Sequence, residues 1–501
     1  MKKAVCLILA VFMLSACDVD FLQESAPDTI RADAPSRTVE NISLPFNDDD
    51  SLNPYRAATT FNLGLMPLIY DFLIKLDNEY IPYPEICESA EMTEGNLCRI
   101  TLRSDVRFWD GSPLTADDVV YSLSAAKESG YYSHKLADAA QIRKVSASRV
   151  EITLSKEDVF FTRNLDIPIV KADSLTAADA VGSGRYRPMT EGNRKILKFN
   201  TEWYKEADPK YKEITLTHLP GSETIMSSLR AGTINMLFDD LSDSLPSVIG
   251  INSLPVVMNN LVFMGINGNS HFTSSPKVRQ GLSAAISRNI IRSRAYSEHG
   301  RPALLPIVPV MKFGDFAQDK DGFNASPETA NAILDEAGWS IITPGGYRMP
   351  GGEILTLTMI VNRESVARVS AARSIESGFK QIGVRVAVEE LDRDTYINRI
   401  NAGQYDLYIG EIKLGNNMDI QPFINGAASV NMNYTTEFLT AYNKFRQDGD
   451  INTFDSVFRA EMPFVPLLFR EGLLLYSNSM NFEINTTISD LFINFENYRE
   501  S

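Results

Sequence analysis

Apolar and polar positions alternate in short stretches through the first half of the chain and lengthen into helical stripes in the second. Ile100 and Leu102 alternate with polar neighbours as a strand, Trp109-Asp110-Gly111 makes a turn, and Thr115 with Asp118 three residues on reads as the capped start of a helix reaching Lys127. Val150 to Leu154, Ile196 to Asn200 and Ile214 to Leu219 read as further strands. Ser275-Pro276 sets an N-cap and an N1 proline before Val278, Leu282, Ala285, Ile286 and Ile290, a buried stripe at helical spacing. Ser326-Pro327 does the same before Ala330, Ile333, Leu334 and Ala337, and Gly338 stops that helix. Between Ile354 and Ile412 the chain spells strand, helix (Glu364 to Lys380), strand (Val384, Val386, Val388), helix (Asp394 to Asn401) and strand (Asp406 to Gly410), which is an α/β unit.

The N-terminus follows a different logic. Lys2 and Lys3, the apolar run Ala4 to Leu14 and Leu14-Ser15-Ala16-Cys17 form a charged region, a short apolar region and a small-residue cleavage site. The apolar run falls short of the ~20 residues that cross a bilayer, so removal is expected. Leu-Ser-Ala-Cys resembles the bacterial lipobox, in which the thiol, here Cys17, is lipidated and becomes the first residue. Two acyl chains on it would anchor stably where one would not. Asp18 to about Arg37 is polar, carries two prolines and reads as a tether. No later apolar run is long enough to span a membrane.

Composition narrows the partners. With 501 residues the chain can bury a large core and divide into more than one lobe. A formal charge of −16 without any basic tract argues against nucleic acid or anionic lipid as a partner. Of four cysteines, Cys6 leaves with the signal and Cys17 takes lipid, which leaves Cys87 and Cys98 around the turn Thr93-Glu94-Gly95-Asn96. An oxidising compartment would suit a disulfide between them, yet a hairpin closing at that turn sets Cys98 near Glu91, so the spacing leaves both states open. No C-x-x-C or nearby histidine completes a metal site, and neither a metal nor a cofactor is expected.

Signals for catalysis are sparse. His134, His218, His271 and His299 make no paired spacing, and no G-x-S-x-G occurs. Ser124-x-x-Lys127, with Tyr476-Ser477-Asn478 later, is the best enzyme reading, because a serine activated by lysine performs acyl transfer. Ser274-x-x-Lys277 repeats the pattern by chance, and no Lys-Thr-Gly follows Tyr476. A non-enzyme is expected.

The block Ile100 to Lys127 (ITLRSDVRFWDGSPLTADDVVYSLSAAK) resembles a signature of the family 5 extracytoplasmic solute-binding proteins, the peptide and nickel receptors of ABC importers. Further fragments are similar to that family in the same order: Ser51-Leu52-Asn53-Pro54, Val181 to Arg187 (VGSGRYR, with Arg185 for the usual proline), Pro276 to Arg288 (PKVRQGLSAAISR, with Ser287 where aspartate is common), Ala330 to Trp339 and Gly403 to Leu407 (GQYDL).

The resemblance implies an α/β protein with a two-lobed periplasmic-binding-protein-like fold of type II, its first lobe discontinuous, and a small inserted third domain. The expected division is signal 1–16, lipidated tether 17–37, first lobe 38–72, 176–262 and 466–501, inserted domain 73–175, and second lobe 263–465. It also implies capture of a peptide in the interlobe cleft and delivery to an ABC permease and ATPase, by a monomer held at the outer face of the cytoplasmic membrane through lipid alone. A peptide's main chain can pair with backbone groups of the cleft, while its α-amine wants a fixed carboxylate. The segment YDLYIGEIKLGNNMDIQPF resembles the part of the family that carries this acid and offers Glu411 or Asp419. More loosely, the resemblance implies ligand contacts from Thr59 and Thr60 and from the aromatic pair Tyr131-Tyr132, while Arg363 and Arg368 could equally meet a ligand carboxylate or pair at the surface with Glu364 beside them. On the same fold, a nickel chelate or an oligosaccharide is the alternative ligand.

Overall fold

Cys98, Ile100 and Leu102 turn inward from the strand Leu97–Leu102, and Val150, Ile152 and Leu154 do so from Arg149–Leu154, so the period-two pattern becomes one buried face. The computed structural model describes residues 41–177, 180–219, 224–242, 246–313, 316, 320–426, 431–478, 480, 486–493 and 495. Within it these two strands are the middle of a four-stranded antiparallel sheet flanked by Cys87–Thr93 and Ala139–Ser146. Helix Ala116–Glu128 covers the sheet with Ala116, Val119, Leu123 and Ala126 buried. Truncating a side chain such as Leu123 to alanine would cost about 2–5 kcal/mol. Asp118 does more than cap this helix: its carboxylate accepts from the Thr115 amide at 2.9 Å and from the Ala172 amide at 3.0 Å.

The hairpin register settles the cysteines. Its loop takes three residues, with Glu94 and Gly95 in the left-handed region, so Cys98 stands opposite Met92 instead of Glu91, and Cys87 opposite Leu102. Several ladder steps therefore separate the thiols. Both are free and buried, no disulfide joins them, and Cys87 Sγ donates to the Leu73 carbonyl at 3.0 Å. Burial pushes the two thiols up to about 11 and about 12, which keeps them protonated and unreactive.

A second four-stranded sheet, in the order Ile42–Phe46, Glu213–His218, Arg194–Phe199, Tyr186–Glu191, pairs the start of the described chain with residues far along it. The largest sheet has seven strands, Met236–Asp239, Phe464–Tyr476, Asn252–Ile266, Leu407–Lys413, Thr356–Asn362 and Arg385–Leu391 in that order, with Gly300–Pro302 paired to Phe464–Tyr476. The α/β unit expected between Ile354 and Ile412 forms its far side. Its helix, Val366–Gln381, begins two residues later than the pattern suggests, because Asn362 accepts the Glu364 and Ser365 amides and holds them in a turn.

One stripe divides. Helix Pro276–Ala284 ends early, Ser287 caps a second helix, Arg288–Ala295, and Ile290 is 43% exposed instead of buried. The break lets Arg288 bury its guanidinium, whose Nε donates to the Ala303 and Pro466 carbonyls at 2.9 Å each.

Two long strands join the two main cores. Asn252–Ile266 contributes Val256 to the core beneath the sheet of Ile42–Phe46, and Leu261 to Met264 to the core of the seven-stranded sheet. Phe464–Tyr476 runs antiparallel beside it and does the reverse, with Phe464 to Phe469 in one core and Leu474 in the other. Between the cores the ladder slips: Val257 faces Glu471 but Leu261 faces Phe469, so Met258, Asn259 and Asn260 bulge. The core beneath the sheet of Cys87–Thr93 is continuous with that of the seven-stranded sheet, and a buried ion pair, Arg446 to Asp158 at 2.5 Å, adds a link between the two regions.

Candidate functional site

Strands Thr356–Asn362 and Leu407–Lys413 run parallel, so their carboxyl ends finish side by side, where an open α/β sheet leaves its crevice. A cavity of about 770 Å³ lies there. One wall is Asn362 and the first turn of helix Val366–Gln381, with Arg368; another is Glu411, Ile412 and Lys413; a third is Asn260, Arg470 and Glu471 from the slipped stretch of the long strands. Arg393, Tyr296, His299, Leu241 and Ser242 also line it. A second cavity of about 180 Å³ shares Asn260 and Lys413 with the first. Its walls are more apolar: Leu63 and Pro67 of helix Thr60–Ile69, Phe72, Tyr131, Tyr132, Met258, and Ile488 and Leu491 from the end of the chain.

The bulge makes the polar chamber polar. Asn260, in register with Lys413 but without a partner on Phe464–Tyr476, donates from Nδ2 to Glu411 Oε1 at 2.9 Å, and Arg470 donates to the same oxygen at 2.9 Å. Burial opposes the Arg470 charge, but Glu411 beside it holds the guanidinium above its ordinary pKa. Glu471 takes an ion pair from Arg301 at 2.5 Å. Other polar atoms lining the chamber are buried without a protein partner: the Tyr296 hydroxyl, Arg368 Nε and Asn260 Oδ1. Lys413 stands at the junction of the chambers, its Nζ 4.8 Å from the centre of the Tyr131 ring. Desolvation and the nearby Lys135 charge lower its pKa. Lys135 itself is paired with Asp166 at 2.6 Å.

The residues singled out from sequence separate into two groups. Glu411, Arg368, Thr60, Tyr131 and Tyr132 line the two chambers. Burial, and then the Asp166 charge, push the Tyr131 hydroxyl up to about 12. Thr59 does not reach either chamber, because its hydroxyl donates to Asp50 at 2.6 Å as it caps helix Thr60–Ile69. Asp419 is also elsewhere: it takes an ion pair from Lys156 at 2.8 Å, accepts from the Tyr442 hydroxyl and from the Gln421 amide, and lines neither chamber. Arg363 lines neither chamber. Cys17 lies outside the described residues. The serine–lysine reading finds no pair: the Ser124 hydroxyl donates to the Val120 carbonyl at 2.7 Å and Lys127 to the Ala139 carbonyl at 2.6 Å.

Asn260, Tyr296, Lys413 and Arg470 went unmarked in the sequence. A signal for two of them was present: Asn259-Asn260 and Arg470-Glu471 each interrupt a long apolar strand. A polar pair in that position either costs stability or serves a cavity.

Known proteins agree with this architecture. Residues 82–435 match the model of the bacterial extracellular solute-binding proteins, family 5 middle region. The oligopeptide-binding protein AppA of Bacillus subtilis (strain 168) is 23% identical over 432 residues, which cover 81% of this chain and 78% of that one. The nickel-binding periplasmic protein of Escherichia coli (strain K12) is 21% identical over 421 residues, covering 79% and 78%. Among solved structures, an ABC transporter substrate-binding protein from Sinorhizobium meliloti superposes with a TM-score of 0.73 at 17% identity, covering 92% of this chain and 100% of the other. The fold is the two-lobed α/β fold of such proteins, and the chain belongs to the family 5 bacterial extracellular solute-binding proteins.

Proposed function

We propose that this protein captures peptides between its two lobes and delivers them to an ABC permease and ATPase, as a monomer held to the outer face of the cytoplasmic membrane by lipid on Cys17. The observation that carries the reading is the pair of long strands, Asn252–Ile266 and Phe464–Tyr476, each passing from one core to the other with its ladder slipped beside the cavity. A slipped ladder has fewer hydrogen bonds to break and is the place where two rigid bodies can rotate. On this reading the lobes divide near 263 and 466, a few residues beyond the slip, and the inserted domain at 73–175 carries the sheet of Cys87–Thr93. Closure would then be stabilised by ligand contacts made from both sides at once.

A peptide is favoured by the name of the Bacillus subtilis relative and by the chamber's own groups. The free Asn260 Oδ1 accepts what an amide N–H donates, and the more apolar second chamber takes a side chain. A metal chelate is supported by the name of the Escherichia coli relative. Among the described residues no group of three or more His, Cys, Asp or Glu could hold a metal ion, so a chelate would have to bring its own ligating groups. Trp109, Trp203 and Trp339 line neither chamber, which gives an oligosaccharide no indole to stack on.

Native mass spectrometry of the protein purified from cell membranes tests the reading. Bound peptides in the low-mass fraction and a diacylglyceryl mass on Cys17 are expected. A ligand-free protein that shows no compaction in small-angle scattering with any peptide pool would end the reading.

A further inference from the structure

The chain carries a formal charge of −16, yet most of the charged side chains left without an ion pair in its cleft are basic. Among the described residues, Arg368, Arg393 and Lys413 line the polar chamber and none is in an ion pair, whereas Glu411 is taken by Arg470 and Glu471 by Arg301. In the adjoining chamber Asp166 is taken by Lys135, and Asp240 stands beside Arg470. Glu364 is the one carboxylate of the polar chamber with no pairing among the described residues, and it is exposed. Composition cannot explain this reversal of sign. An acidic protein that neutralises its cleft carboxylates and leaves three cations open has a local field that attracts anions.

The unsatisfied hydrogen-bonding atoms point the same way. Arg368 Nε and the Tyr296 hydroxyl are donors buried at the chamber wall without a partner. A buried donor left unpaired is costly, and a ligand carboxylate oxygen is the acceptor each of them lacks. The acid expected to hold a ligand amine is missing from this arrangement, since Glu411 is committed to Arg470 and Asp419 lies off the cleft.

Resting on the peptide reading, we infer that the cleft selects acidic peptides: ligand carboxylates meet Arg368, Arg393, Lys413 and the Tyr296 hydroxyl in the large chamber, an apolar side chain enters the small one, and no protein carboxylate holds the α-amine. Lys413, at the junction, serves both chambers. Its lowered pKa follows from desolvation and the like charge of Lys135, and a ligand anion would relieve both.

Titration calorimetry with the full chain in detergent tests this with Ala-Glu-Glu-Phe, Ala-Gln-Gln-Phe and Ala-Lys-Lys-Phe, each with a free and an acetylated N-terminus. The acidic peptide should bind at least about tenfold tighter than the neutral one, the scale of one charge-assisted hydrogen bond, and the basic one more weakly still. Acetylation should change affinity by less than about threefold, because an amine left in solvent gains little. Arg368→Gln and Lys413→Gln should each remove most of the acidic preference while the melting temperature holds. A basic peptide that binds as well as the acidic one overturns the inference, and so does an acidic preference that survives both substitutions. A tenfold loss on acetylation that Glu364→Gln reproduces would also overturn it, by placing the amine on Glu364. If none of the six peptides binds, the peptide reading itself fails and the inference falls with it.

Discussion

Arg470 and Glu411 lie 2.9 Å apart on two strands that both pair with Asn252–Ile266, one on either side of it. Their side chains are 9% and 19% exposed, so each charge depends on the other for the hydration it has lost. Glu411→Gln should therefore destabilise the protein by about 2–3 kcal/mol in urea, toward the low end of what breaking a buried pair costs. Replacing both partners with leucine should recover most of that loss, to within about 1 kcal/mol of the parent. Affinity for an acidic peptide should not fall in Glu411→Gln, since the substitution removes a negative charge from the chamber wall. If ligand affinity drops while stability holds, Glu411 is a ligand contact and its pairing with Arg470 is secondary.

Asp419 gives the opposite separation of binding from folding. Burial works against its charge, but Arg446 and Lys156 hold its carboxyl below the usual range, and the Tyr442 hydroxyl adds a third support. Asp419→Asn should lower stability by about 1–3 kcal/mol and leave Lys156 with Asp138 as its remaining partner, at 3.2 Å. Peptide affinity should stay within about twofold of the parent, because neither chamber touches the residue. A tenfold loss of affinity with unchanged stability would contradict this.

Local grammar makes much of this fold legible in the chain itself. Period-two burial at Ile100 and Leu102, the Thr115–Asp118 cap and the strand–helix alternation after Ile354 are short-range features, and each appears in the structure within a residue or two. What sequence spacing could not carry was which charge finds which partner. Glu411 and Asp419 look alike in the chain, eight positions apart, but one faces Arg470 across a neighbouring strand and the other is paired with Lys156, 263 residues away. Ion pairs of that span depend on tertiary packing, which no local pattern encodes. The Ile290 stripe misled for the same reason: burying Arg288 against Pro466 mattered more than continuing the helix.

Gly184, inside the VGSGRYR stretch, shows a family fragment acting through backbone approach. A Cβ there would lie 2.4 Å from the Ile69 carbonyl oxygen and 2.7 Å from the Tyr70 nitrogen, where helix Thr60–Ile69 ends. Backbone on both sides cannot yield as a side-chain tip can. Gly184→Ala should cost about 3 kcal/mol or more and lower the melting temperature, at the upper end of the usual overpacking penalty. Gly111→Ala is the control: it has a positive φ but open space around it, so only backbone strain of about 1 kcal/mol should appear. Equal losses in the two variants would show that the close approach to Ile69 is not what fixes the glycine.

Asp71 gives the fold a pH dependence of defined sign. Its carboxylate is buried, accepts from the Ser183 hydroxyl at 2.9 Å and from Trp203 Nε1 at 3.1 Å, and has its pKa raised from 3.8 to about 6, first by burial and then by Glu85. A folded pKa above the unfolded one means that the native state holds the proton more tightly, so the contribution of Asp71 to stability is whole below about pH 4 and is lost as pH rises through about 6. Asparagine keeps an acceptor for Trp203 and offers an N–H to the Ser183 oxygen, reversing that bond, but cannot ionise. Stability of Asp71→Asn relative to the parent should therefore rise by about 2–3 kcal/mol between pH 4 and pH 7, since each pH unit separating the folded and unfolded titrations is worth about 1.4 kcal/mol. Lys75 and Lys205 keep their charge across this range in both proteins, and against its burial they hold Glu85 below its ordinary pKa. Urea unfolding at half-unit steps of pH measures it. A difference that is flat across this range, or that falls, would mean that Asp71 is ionised at no cost in the folded protein and that Lys75 and Lys205 outweigh its burial.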